Sequence, residues 1–248
     1  MSVLPLYAPD GPSVGPAAFA ELAAAHRHGR AGLLDRIRRR PELAALAGQG
    51  LLTRAGRPTP AAARYLSALD APTGQWTVTG RYRGSHTTLR LWISDASLTA
   101  LAGPSAESLR PGVVPGIADD ADARLDLAGA GEAATIVCAW AAVRPLPPGL
   151  AEPIELPLEL FGARADGGAL DDPGGTAHGT FWQEPWFVWD VATDAGARLG
   201  FINSGRAGHF AFGQVDDALV RIVPVGSGEI WRALHALQAE DRAPSGPN

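Results

Sequence analysis

The chain has 248 residues, 46% of them hydrophobic, and a formal net charge of −5. That composition supplies a real core for one large domain or two small ones, and the acidic balance argues against a general nucleic-acid binder. No run approaches the ~20 apolar residues of a membrane helix, and a lone cysteine, Cys138, excludes an internal disulfide. All 21 basic residues are arginine, which we ascribe to nucleotide composition and not to mechanism. The first 16 residues carry no basic segment followed by an apolar core, so the expected location is the cytoplasm.

Residues 1–16 hold four prolines and read as an extended arm. Helical periodicity begins at Ala17, with Phe19, Leu22 and Ala23, and fades near Gly29. A second helix is expected over Leu33–Arg40, a third over Glu42–Ala47 behind Pro41, and a fourth opening at Thr59-Pro60. The pattern changes at Pro72. Gln75–Tyr82 and Thr87–Ile93 alternate around Arg83-Gly84-Ser85, which predicts a hairpin. Ser94–Pro111 reads as a Ser-, Gly- and Pro-rich loop, followed by short strands at Gly112–Ile117 and Ala123–Leu127 and a helix over Glu132–Val143. Ile154–Leu160 reads as a strand that Pro157 confines to a sheet edge. Residues 162–180, rich in glycine and aspartate, read as a mobile loop, and 241–248 as a flexible tail.

The clearest signal lies between Phe181 and Leu237. Apolar runs at Phe187–Ala192, Arg198–Asn203 continued by His209–Val215, and Leu219–Val225 are broken by Asp194-Ala195-Gly196 and Ser204–Gly208. Pro224 and Gly226 stop the last strand, and Ser227 is placed to cap a helix with Ile230, Trp231, Leu234 and Leu237 on one face. Both halves thus hold antiparallel strands followed by a helix. The expected fold is α+β: a central, mostly antiparallel sheet with pseudo-two-fold character, an N-terminal helical bundle and a C-terminal helix, all in a single domain over 17–240.

Chemical motifs are weak. Gly129-Ala130-Gly131-Glu132-Ala133-Ala134 matches a loose GxGxxA nucleotide fingerprint, but its preceding strand carries Arg124 and Asp126 where a buried parallel strand is apolar. Cys138 sits in the apolar run Ile136–Trp140 and reads as an inert core thiol. The six histidines and the group Asp119, Asp120, Asp122, Asp126 lack metal-site spacing. We expect no catalytic residue, no metal and no cofactor. Arg27, Arg30, Arg36 and Arg38–Arg40, with the turn Gly50–Thr59, suggest a winged-helix-like DNA-binding regulator as the alternative; a solvated helix face explains them more simply.

Two stretches resemble the EspG-type chaperones of ESX (type VII) secretion. One runs from Leu43–Leu52 through the helix Pro60–Leu69 to Ala71-Pro72 before the first hairpin. The other joins Trp189-Asp190, the strand Arg198–Ile202, and Leu219–Pro224 leading into Glu229–Leu237. The resemblance implies a cytoplasmic, non-enzymatic protein that shields the apolar tip of a helical PE–PPE-like secretion substrate, without membrane insertion, nucleic acid or a small-molecule cofactor. The family's second helical bundle is replaced here by the short Gly162–Gly179. For a partner surface the sequence offers Leu98, Leu101 and Leu109 in the Ser94–Pro111 loop and Trp182 and Trp186 as exposed aromatics, against the alternative that they pack in the core.

Overall fold

The structure, a computed structural model, describes residues 7, 9–31, 40–109, 123–146, 152–174 and 178–241. The expected helix Leu33–Arg40, apart from its last residue, and the strand Gly112–Ile117 lie outside them, as does the tail beyond 241.

Among the described residues three helices open the fold: α1 (Pro16–Arg27), α2 (Arg40–Gly48) and α3 (Pro60–Asp70). Proline at the first turn of α1 and of α3 costs no hydrogen bond, because those N–H groups have no intrahelical partner. Thr59 caps α3: its Oγ1 accepts from Ala62 N at 3.2 Å while its hydroxyl donates to the Gly50 carbonyl at 2.7 Å. That single residue fixes both the start of α3 and the turn behind α2. Phe19, Leu22, Leu46, Leu51, Leu52 and Leu66 form the apolar underside of this layer.

Nine strands form one sheet: β1 (Gly74–Tyr82), β2 (Ser85–Ile93), β3 (Ser97–Ala102), β4 (Arg124–Gly129), β5 (Ile154–Pro157), β6 (Phe187–Thr193), β7 (Arg198–Asn203), β8 (His209–Gln214) and β9 (Leu219–Val225). Their order is β4-β3-β2-β1-β6-β7-β8-β9-β5, and every neighbouring pair is antiparallel. The chain is therefore a central antiparallel sheet with helices, an α+β fold. At its middle β1 pairs with β6, and from each a four-strand meander runs outward: β1 to β4 on one side, β6 to β9 on the other. Each outermost strand carries an antiparallel addition, β5 on β9 and a bridge from Ser13 to Arg124 on β4. The two halves are thus related by an approximate two-fold axis normal to the sheet.

Helices α4 (Ala133–Trp140) and α7 (Ser227–Asp241) follow β4 and β9, pack on each other, and cover one face of the sheet. Beneath them lie Trp76, Val78, Leu89, Leu91, Trp189, Val191 and Phe201. The opposite face has two separate covers. The α1–α3 layer sits over β2 to β4. Two short helices, α5 (Leu158–Ala165) and α6 (Gly179–Gln183), enclose Phe161, Phe181, Trp186, Ile202, Phe210 and Ile222. Between these covers Gln75, Thr77 and Thr79 of β1 face solvent.

Several expectations need correction. The segment Ser94–Pro111 contains β3, whose Leu98 to Ala102 are buried on both faces of the sheet. The strand at Ile154 ends at Pro157 and turns into α5, although its edge position is as expected. Residues 162–180 are partly helical, and Asp172 ties the loop by accepting from Gly174 N at 2.9 Å and from His178 N at 3.2 Å. Ser227 is the first helical residue, not the cap; its hydroxyl donates to the Leu146 carbonyl at 3.3 Å, and Glu229 accepts from Gly226 N at 2.7 Å. Trp231 leaves the buried face formed by Ile230, Leu234 and Leu237 and is 46% exposed.

Candidate functional site

The five residues expected on a partner surface do not share one. Leu98 and Leu101 are 0% and 3% exposed because β3 is covered on both faces. Leu98 points under α4 and α7, Leu101 under α1–α3. Leu109 is half-buried and packs against the same core as Leu98. Trp182 and Trp186 are buried as well, at 5% and 2% exposure. Burying an indole leaves its N–H in need of an acceptor. Trp182 donates to the Leu170 carbonyl at 2.8 Å, and Trp186 to the Phe181 carbonyl at 2.9 Å. The two rings meet edge to face at 5.5 Å. The leucines and tryptophans are core residues, so their reading as exposed anchors is withdrawn.

The two tryptophans do line a cleft of about 540 Å³, together with Arg83, Arg164, Leu170 and Pro185. Its walls come from the β1–β2 turn, the end of α5 and the end of α6. Arg164 Nη2 donates to the carbonyls of Trp182 and Glu184 at 2.6 and 2.8 Å, stopping the short helix α6. Its guanidinium carbon lies 5.7 and 5.3 Å from the Trp182 and Trp186 rings.

A different surface keeps apolar residues in solvent. On the α4/α7 face, Gly213 of β8, Val215 just beyond its end and Val223 of β9 lie outside the cover of the helices, while Ala211 beside them is half-buried against the core. Val215 is 54% and Val223 36% exposed. Alternation puts these positions on one face: Ala211 stands opposite Val223 and Gly213 opposite Arg221. Arg221 in turn faces Glu155 of β5, giving the patch a charged rim. Sequence reading missed it because Leu219–Val225 looks like any half-buried strand until its cover is known.

The remaining motifs resolve into structure. Gly129 belongs to an antiparallel strand, and the Glu132 carboxylate accepts from Gly129 N at 2.7 Å, filling the place a phosphate would take. Gln238 donates to the Ala130 carbonyl on the same turn. Burial pushes the Cys138 thiol up to about 12, which leaves it unreactive at neutral pH. The Gly50–Thr59 segment is a tight turn closed by Thr53 N donating to the Arg57 carbonyl at 2.8 Å, and Arg54 and Arg57 are exposed on it. The helix it leads to, α3, buries Leu66 in the sheet layer, and Thr99 of β3 donates to its Tyr65 carbonyl at 2.8 Å. No group of three or more His, Cys, Asp or Glu side chains converges among the described residues, and no described helix is long and apolar enough to cross a membrane.

Compared with known proteins, the chain matches no family model and no curated protein.

Proposed function

We propose that this protein is a non-enzymatic chaperone that works in the cytoplasm and holds a helical type VII secretion substrate of the PE–PPE kind. The observation that carries the reading is the open apolar face of β8 and β9, centred on Val215 and Val223. An apolar helical tip laid across that face would cover both valines, while Arg221 and Glu155 would meet polar groups at its edge. The resemblance at Leu43–Leu52, Trp189-Asp190 and Leu219–Pro224 implies a mixed α/β fold with a pseudo-two-fold core sheet and flanking helical bundles, and the sheet of two like halves supports the reading to that extent.

Magnitudes limit what the patch does alone. Burying two partly exposed valines contributes about 1 kcal/mol each. A micromolar complex requires about 8 kcal/mol, so the hairpin anchors a larger footprint that extends onto its rim.

The test is co-expression with a PE–PPE-type pair encoded beside this gene, followed by affinity purification and size exclusion. A stable complex with the helical substrate supports the proposal. Failure to retain any such substrate, or a gene neighbourhood without type VII secretion components, counts against it.

A further inference from the structure

We propose that the cleft between the β1–β2 turn and the α5–α6 segment binds a small ligand carrying an oxyanion, a carboxylate or a phosphate ester, on a flat apolar body. This site is separate from the β8–β9 face, on the other side of the fold's second half.

Two guanidiniums converge on the cleft, and among the described residues neither forms an ion pair. Three acids of the same segments are engaged elsewhere: Asp166 with Arg81 at 3.5 Å, Asp172 with His178 at 2.5 Å and Glu184 with Arg206 at 2.6 Å. Burial and the neighbouring Arg83 charge both hold Arg164 below the usual guanidinium pKa, a sign that the two cations feel each other. Its Nε is buried with no hydrogen-bond acceptor. An anion between the two side chains would relieve the repulsion; Arg83 offers it the forked donors that suit carboxylate and phosphate oxygens, while Arg164, whose Nη2 is held by the Trp182 and Glu184 carbonyls, contributes chiefly its charge.

Arg83 carries a second, independent signal. Arg83 and Gly84 form a two-residue hairpin turn with φ of 49° and 78°. A left-handed first position favours asparagine or glycine, and an arginine there is strained. The turn is also clamped from outside. A Cβ on Gly167, itself at φ 88°, would lie 2.6 Å from the Arg83 Cα, so only glycine allows this approach. The chain thus holds an arginine in an unfavourable conformation at the mouth of the cleft. Leu170 and Pro185, with the small exposed edges of the buried Trp182 and Trp186, supply apolar wall for the rest of the ligand, and a volume of about 540 Å³ admits a small molecule.

Isothermal titration of the full chain with phenyl phosphate, phenylacetate and inorganic phosphate tests the site and separates the two sources of oxyanion. The probes are compared on wild type and Arg83→Asn. That substitution creates the favoured Asn-Gly turn, so thermal stability should stay level or rise. We expect at least one aromatic anion to bind wild type more tightly than inorganic phosphate, and Arg83→Asn to weaken it about tenfold or more. Binding of neither aromatic anion, or equal affinity in wild type and Arg83→Asn, overturns the proposal. Arg164→Gln should also abolish binding, but it removes the α6 cap, so Arg83→Asn is the deciding variant.

Discussion

The outer strand pairs β3–β4 and β8–β9 occupy equivalent places in the two halves, yet only one is closed. On the α4/α7 face, β3 and β4 are covered by Ala106, Leu109 and the arm residue Tyr7, whose hydroxyl donates to Asp126 at 2.9 Å. Burial and the Asp126 charge drive the Tyr7 phenol far above its ordinary pKa, so it stays a donor at any physiological pH. The second half has residues 141–146 over the His209 end of β8, where His209 Nε2 meets the Arg144 carbonyl at 3.0 Å. Beyond that point, Val215 and Val223 are left in solvent. A duplicated architecture makes the difference readable: the apolar strand face that is covered in the first half stays open in the second, and the proposed substrate would cover it there.

The strongest way to break this comparison is to exchange a covered side chain for a polar one. Leu98→Ser places an unmatched hydroxyl and a cavity in the core and should cost about 3 kcal/mol in chemical denaturation. Val223→Ser, on the same face in the other half, should cost less than about 0.5 kcal/mol. Similar losses at both positions would show that the hairpin is not open. A smaller effect probes the arm. Tyr7→Phe removes the bond to Asp126 and should cost about 1 kcal/mol, read as an earlier urea midpoint at unchanged slope.

The mildest effect is a pH dependence at the junction. Burial chiefly, and the Arg144 charge secondarily, lower the pKa of His209 below its usual 6.5, while the bond to the Arg144 carbonyl opposes them. With Nε2 donating to that carbonyl, the buried Nδ1 is left bare and has no partner to receive a proton's N–H. A histidine whose folded pKa lies below its unfolded value contributes fully above 6.5. That contribution is lost as pH falls from there through the folded pKa. Thermal scans should show stability declining below pH 6.5 in wild type and a flatter profile in His209→Gln.

Much of the fold was legible because its signals are local. Arg198–Asn203 and Leu219–Val225 match β7 and β9, since alternation between turn residues sets their ends. Thr59-Pro60 announced α3 through its cap. β3 was hidden because Ser97–Ala102 is buried on both faces and has no alternation to display. The α5 start was hidden because Leu158–Leu160 continues the apolar run of β5, and only Pro157 marks the change. At the site, sequence located Trp182 and Trp186 but not their direction, which depends on carbonyl acceptors at Leu170 and Phe181. The approach of Arg83 to Arg164 and the bareness of Val215 and Val223 depend on tertiary packing, to which no local pattern is sensitive.

The most direct test of the account compares wild type with a Val215→Asp/Val223→Asp double variant, co-expressed with the helical PE–PPE-type substrate and resolved by size exclusion. Both positions are exposed, so the melting temperature should barely move. The account predicts that wild type elutes as a complex and the double variant elutes free of substrate. A double variant that retains the substrate as wild type does would contradict it.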